Sequence, residues 1–129
     1  MKKILLVEDN PSILNIMKLA LETSGFEVLT SQNGYDALEL LMQMKHLPSL
    51  IILDLMMPIM NGFEFRKAQL NDKNLAHIPI ILLTANNNFQ EYKELLQAHE
   101  FLNKPVDIKD LLYIIENFFF IREKTTFSL

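Results

Sequence analysis

The chain has 129 residues, half of them hydrophobic, and a formal net charge of −4; that is enough for one domain with a real core and too acidic for an ordinary nucleic-acid surface. It has no cysteine, which excludes a disulfide framework and a thiolate metal site. Two lysines and a short apolar run open the chain, but acids interrupt the run too early for a signal peptide and no apolar stretch reaches the ~18 residues of a membrane span, so a cytoplasmic location is expected.

Short apolar runs of strand length alternate with longer stretches of helical period, the pattern of repeated βα units around a parallel sheet. Residues 3–7 read as the first strand and end in Glu8 and Asp9. Asp9-Asn10-Pro11-Ser12 offers a helix cap with proline in the first turn, and Ile13, Ile16, Met17, Ala20 and Leu21 recur at helical spacing. Gly25 stands where a left-handed residue closes a helix. Residues 26–30 form the second strand, and Asn33-Gly34 turns into a helix carrying Ala37, Leu38, Leu41 and Met42. Pro48 leads to the third strand, residues 49–53, which Asp54 closes.

A helix from about Phe63 to Leu70 follows, then a polar loop and Pro79, then the fourth strand, ended by Thr84. Phe89, Tyr92, Leu95 and Leu96 mark a fourth helix, and the fifth strand, residues 101–103, ends in Lys104-Pro105. Asp107 with Asp110 starts a last helix reaching about Phe120. The expectation is an α/β fold: a doubly wound, flavodoxin-like parallel sheet of five strands in the order 2-1-3-4-5, helices on both faces. A single domain is expected over residues 1–121, with a C-terminal tail over 122–129.

That order sets strands 1 and 3 side by side where the winding reverses, and ligands bind there, outside the carboxyl ends. Glu8, Asp9 and Asp54 become neighbours, and at an effective dielectric of about 20 two charges 4 Å apart interact by roughly 4 kcal/mol. Lys104 offsets one charge, and a divalent cation would offset the rest. Ligands that are all oxygen favour a hard ion, Mg²⁺ over Ca²⁺ where waters complete the shell. Taken alone, Asp9 reads equally as a cap before Pro11, a use that Glu8 does not have. Asp54 is the candidate nucleophile for phosphorus, Thr84 a hydrogen-bond donor to a phosphoryl oxygen and Lys104 a counter-charge. Singly, Thr84 is an ordinary strand residue and Lys104 a solvated amine; four strand ends converging on one rim favour the site. Met56, Met57 and Met60 read as turn and core packing, and His46, His77 and His99 as ordinary loop residues.

These residues resemble the receiver domain of two-component response regulators over nearly the whole chain. The resemblance is carried by the acidic pair Glu8-Asp9, by Asp-Leu-Met-Met-Pro-Ile-Met-Asn-Gly-Phe-Glu from Asp54 to Glu64, by Thr84-Ala85 and by Lys104-Pro105. It implies that Asp54 accepts a phosphoryl group from a phosphohistidine on a sensor kinase or phosphotransfer protein. It implies further that Glu8, Asp9, Asp54 and the main-chain carbonyl of Met56 bind Mg²⁺, that Lys104 contacts the phosphoryl group and precedes a cis bond to Pro105, and that Gly62 shapes the turn after Asp54.

The resemblance also assigns a switch: Thr84 moves towards the phosphoryl group and Phe101 inward, remodelling the surface of helix 4, strand 5 and helix 5, where a protein partner or a second copy docks. Such a domain is a signalling switch that catalyses only its own phosphorylation and slow dephosphorylation, with no direct contact to nucleic acid or membrane. Phe101 stands where tyrosine is frequent. The stretch from Thr84 to Phe101 is about two residues short of the usual pattern, with Gln97-Ala98-His99-Glu100 in place of a Gly-Ala-Asp-Asp-like turn, so a tight or rearranged connection is expected.

The chain ends just after its fifth helix, as a stand-alone receiver or one excised from a longer protein would, and Phe118-Phe119-Phe120-Ile121 is apolar on more than one helical face. A phosphatase of the haloacid dehalogenase type would also use an aspartyl phosphate, but usually has a second Asp where this chain has Met56. An interaction module that had lost the chemistry would not need the five site residues.

Overall fold

The computed structural model describes residues 2–85 and 88–127. Five parallel strands, β1 (Lys3–Val7), β2 (Glu27–Ser31), β3 (Leu50–Asp54), β4 (Ile80–Thr84) and β5 (Glu100–Asn103), pair in the order β2-β1-β3-β4-β5. Five helices alternate with them: α1 (Pro11–Thr23), α2 (Gly34–Gln43), α3 (Gly62–Leu70), α4 (Phe89–Leu95) and α5 (Ile108–Phe127). The expected topology is therefore the observed one. None of the described helices is long and apolar enough to cross a membrane.

The central strands β1, β3 and β4 are mostly apolar because both faces of the sheet are covered there. Side chains alternate across it: Leu5, Val7, Ile51, Leu53, Ile80 and Leu82 enter a core with α2 and α3, while Ile4, Leu6, Leu50, Ile52, Ile81 and Leu83 enter a second core with α1 and α5. Phe65 is fully buried in the first, and Phe119, stacked 5.6 Å from Phe26, in the second.

Local signals account for the helix ends. The Asn10 side chain, not that of Asp9, caps α1, accepting the amides of Ser12 and Ile13. Gly25, at φ +98°, closes the same helix, its N–H donating to the Glu22 carbonyl at 3.0 Å. Asn61 and Glu64 form a reciprocal capping box at the start of α3.

The end of the last helix differs from expectation. The last helix continues to Phe127 instead of stopping near Phe120. Its polar end, Arg122, Glu123 and Lys124, is a good helix former, and Glu123 pairs with Lys2 at 3.1 Å. The tail expected over 122–129 is thus helical as far as it is described, and residues 128 and 129 lie outside the described part. Within the aromatic run, Phe119 faces inward, whereas Phe120 is 60% exposed.

Truncating these faces separates them energetically. Phe65→Ala should cost about 3–5 kcal/mol in urea unfolding, and Phe120→Ala should change stability by less than about 0.5 kcal/mol; equal losses would contradict the packing.

Candidate functional site

The carboxyl ends of the central strands build the site. Residues Val7 and Leu53 are partners in the β1–β3 register, so Glu8 and Asp54, one residue further on, stand side by side. Glu8 is 0% and Asp54 2% exposed, positions that the backbone enforces because both follow fully buried strand residues. Carboxylate oxygens of Glu8, Asp9 and Asp54 lie within 4.8 Å of one another.

Lys104, at the end of β5, reaches across β4 into this cluster. Its Nζ stands 2.8 Å from Glu8 Oε1 and 3.1 Å from Asp54 Oδ2. The amine is held by its own backbone, since the Lys104 N–H donates to the Thr84 carbonyl at 2.9 Å and the bond to Pro105 is cis, as expected. The Met56 N–H donates to Asp54 Oδ1 at 3.2 Å, and the Asn10 N–H to Glu8 Oε2 at 3.1 Å. Among the described residues, Glu8 Oε1 has only the ammonium opposite it: the pair is close and ionic, but not aligned as a hydrogen bond.

The charges are out of balance. Burial first, and then the neighbouring Glu8 charge, push Asp54 up to about 7 against the opposing pull of Lys104. Burial disfavours the charged form of Lys104, but Glu8 and Asp54 outweigh it and raise its pKa. One ammonium does not neutralise three carboxylates, and a buried carboxylate oxygen without a hydrogen bond is expensive. An all-oxygen donor set with an orphaned buried oxygen fits a hard divalent cation such as Mg²⁺.

The turn after Asp54 is pressed against the strand end. The Gly62 N–H donates to the Leu55 carbonyl at 3.0 Å, and a Cβ on Gly62 would come within 2.6 Å of the Asp54 carbonyl oxygen. Gly34 meets the same loop from α2, with its N–H on the Met60 carbonyl at 2.9 Å. Met57 and Met60 pack into the core, and Met56 stands in the turn, 74% exposed, because the turn presents its amide to Asp54 and sends its side chain outward. Thr84 is buried beside a cavity of about 270 Å³ lined by Leu55, Met56, Phe63, Thr84, Ala85 and Tyr92. Phe101, in register with Leu82, is half-buried against the α2–α3 core.

With Asn10 as the α1 cap, Asp9 is left for the cluster, and all the acids expected at the rim are brought together with Lys104. The sequence reading missed Arg66 and Gln69, polar residues that are buried on α3. The buried stripe Gly62, Phe65, Arg66, Gln69 has helical spacing, so a signal for them was available.

Comparison with known proteins agrees with this architecture. Residues 4–116 match the response regulator receiver domain, and the chain belongs to that family, whose members are signalling switches. It is 29% identical over 119 residues to the polar-differentiation response regulator DivK of Brucella anthropi, covering 91% of this chain and 95% of DivK. It is 32% identical over 114 residues to the DNA-binding dual master transcriptional regulator RpaA of Synechocystis, covering 87% of this chain but only 46% of RpaA. Among solved structures, the chemotaxis response regulator CheY4 of Vibrio cholerae superposes with a TM-score of 0.82 at 31% identity, over 91% of this chain and 98% of CheY4. The receiver domain of the sensor histidine kinase PA1611 from Pseudomonas aeruginosa, described with a magnesium ion in its active site cleft, gives 0.77 at 28% identity, over 90% of this chain and 95% of that domain.

The raised Asp54 pKa has a definite sign. Its contribution to metal-free stability is fully present below the unfolded value of 3.8 and is lost as pH rises towards about 7. Asp54→Asn should therefore unfold a few degrees higher than wild type at pH 7.5 in a chelating buffer, and the gap should close near pH 4. Thermal scans across that range check it; a variant less stable at pH 7.5 would contradict the assignment.

Proposed function

We propose that Asp54 is the phosphoacceptor of this receiver and takes its phosphoryl group from a phosphohistidine on a sensor histidine kinase or histidine phosphotransfer protein. The observation that carries the reading is the placement of the Asp54 carboxylate, buried at a strand end beside two further acids with the Lys104 ammonium 3.1 Å from Oδ2. In the transfer, an Asp54 oxygen attacks phosphorus as the P–N bond breaks, and the departing imidazole nitrogen keeps the bonding pair and takes a proton from solvent. Hydrolysis of the acyl phosphate by water returns the carboxylate and phosphate. The domain thus catalyses only its own phosphorylation and dephosphorylation.

Each neighbouring residue has a part. Lys104, held by its backbone bond to Thr84 and charged at neutral pH, pairs with a phosphoryl oxygen. Glu8, Asp9, Asp54 and the Met56 carbonyl would hold Mg²⁺, whose charge offsets that of the incoming oxygens. The hydroxyl of Thr84 donates to the phosphoryl group, and Phe101 turns inward as it moves. The modified form then favours a conformation that the free domain already samples.

The output face in this reading is α4–β5–α5. Leu95, Tyr113, Phe120 and Ile121 are exposed along it, beside a groove of about 260 Å³ lined by residues including His99, Tyr113, Ile114 and Phe118. A downstream protein or a second copy would dock there. The reading places the domain in the cytoplasm, with a kinase partner and without direct contact to nucleic acid.

Labelled phosphodonor and Mg²⁺ should label wild type, and Asp54→Asn should remain unlabelled. Lys104→Ala should slow labelling by about 100-fold, the usual cost of removing one preorganised donor, and chelation of the metal should abolish it. Labelling of Asp54→Asn at the wild-type rate would place the acceptor elsewhere.

A further inference from the structure

The α4–β5 corner is tight, as the short connection requires, and it is closed by an unusual residue. Gln97 adopts φ +54°, the left-handed region that favours glycine. Its N–H donates to the Glu94 carbonyl at 3.2 Å, and the Ala98 N–H donates to the Lys93 carbonyl at 2.9 Å, the two bonds of a Schellman closure. The carbonyls of Leu96 and Gln97 are left over, and a single side chain takes both. Arg66 on α3 donates from Nε to the Leu96 carbonyl at 2.9 Å and from Nη2 to the Gln97 carbonyl at 3.0 Å.

Arg66 is only 3% exposed, and among the described residues no carboxylate pairs with it. Burial lowers its pKa, yet a guanidinium stays charged in proteins. Its third contact is Nη1 to Gln69 Oε1 at 2.7 Å, and Gln69 Nε2 in turn donates to the carbonyls of Leu75 and Ile78 at 2.9 and 3.0 Å. A buried charge without a counter-ion costs several kcal/mol unless other groups compensate. Here the compensation comes from carbonyls at the C-terminal end of α4, where a helix favours a cation.

We propose that Arg66 is the fixed pivot of α4, clamping its C-terminal end and the β5 corner to α3 in both states of the switch. Rearrangement on loading Asp54 then leaves residues 96–99 in place and falls on the N-terminal part of α4 and on Phe101. The corner can be short and lack glycine because α3 supplies the missing hydrogen bonds. This inference deepens the phosphoryl-switch reading and rests on it for the loaded state; in the unloaded state the clamp stands by itself.

Amide hydrogen exchange, measured by NMR on wild type, Arg66→Met and Arg66→Lys, tests the clamp. Without ligand, Arg66→Met should exchange at least about tenfold faster at Leu96, Gln97 and Ala98, with Ile52 and Leu82 unchanged, and Arg66→Lys should recover only part of the loss because lysine lacks the fork. With Mg²⁺ and fluoroberyllate, wild type should change at 88–92 and not at 96–99, whereas in Arg66→Met the change should extend to 96–99.

Unchanged exchange at Leu96, Gln97 and Ala98 in ligand-free Arg66→Met, or a wild-type response as large at 96–99 as at 88–92, overturns the proposal. If Arg66→Met does not fold, Arg66→Lys supplies the same comparison. Bound fluoroberyllate is followed separately by fluorine NMR. If none binds, the phosphoryl reading falls, and the ligand-free comparison decides the clamp.

Discussion

The fold is organised around an unfavourable interaction: carboxylates of Glu8, Asp9 and Asp54 are held together at the ends of buried strands, with one ammonium set against them. In water such a group would disperse. Here the β1–β3 register fixes two of the acids, the Asn10 cap fixes the turn that carries the third, and the β5 backbone delivers Lys104. Burial that stabilises the sheet is the same burial that drives the Asp54 pKa up to about 7. Stability and reactivity therefore have one source: strands apolar enough to be covered on both faces end abruptly in charge.

The surrounding turns are shaped by what that cluster needs. Gly62 lets the loop after Asp54 close against the strand end, Gly34 lets α2 meet the same loop, and the Met56 amide is turned onto Asp54 at the cost of exposing a large apolar side chain. On the other side of the site, α3 runs from its capping box to Arg66 and Gln69, so the helix that begins at the loop after Asp54 also holds the corner leading into β5. The site and the α4–β5 corner share this helix as a frame.

Much of this was legible in the chain. Strand-length apolar runs, Asn10-Pro11, Gly25 and the Asn61-Gly62 start of α3 are local signals that placed the elements, and the strand order followed from the common winding of open parallel sheets. The converging residues were legible because each ends a strand or stands within two residues of its end. Less visible were features decided by tertiary packing. Asn10 outcompeted Asp9 as the cap, a choice between adjacent residues of similar capping strength. The polar end of α5 had no stop signal of its own. Arg66 reads as a surface residue until its place in the stripe with Gly62 and Phe65 is noticed, and its partners are carbonyls some 30 residues away in sequence, which no local pattern announces.

The sheet divides the interior into two compartments, one closed by α1 and α5 and the other by α2 and α3. By the alternation that runs along the strands, Glu8 and Asp54 continue the rows that face α1 and α5, whereas Thr84 continues the row that faces the opposite side. The rim thus straddles a partition, and a group attached at Asp54 would border both compartments at once. A single chemical event there would have two mechanical audiences, the helix pair behind the acids and the helices behind the threonine, without any signal having to cross the sheet.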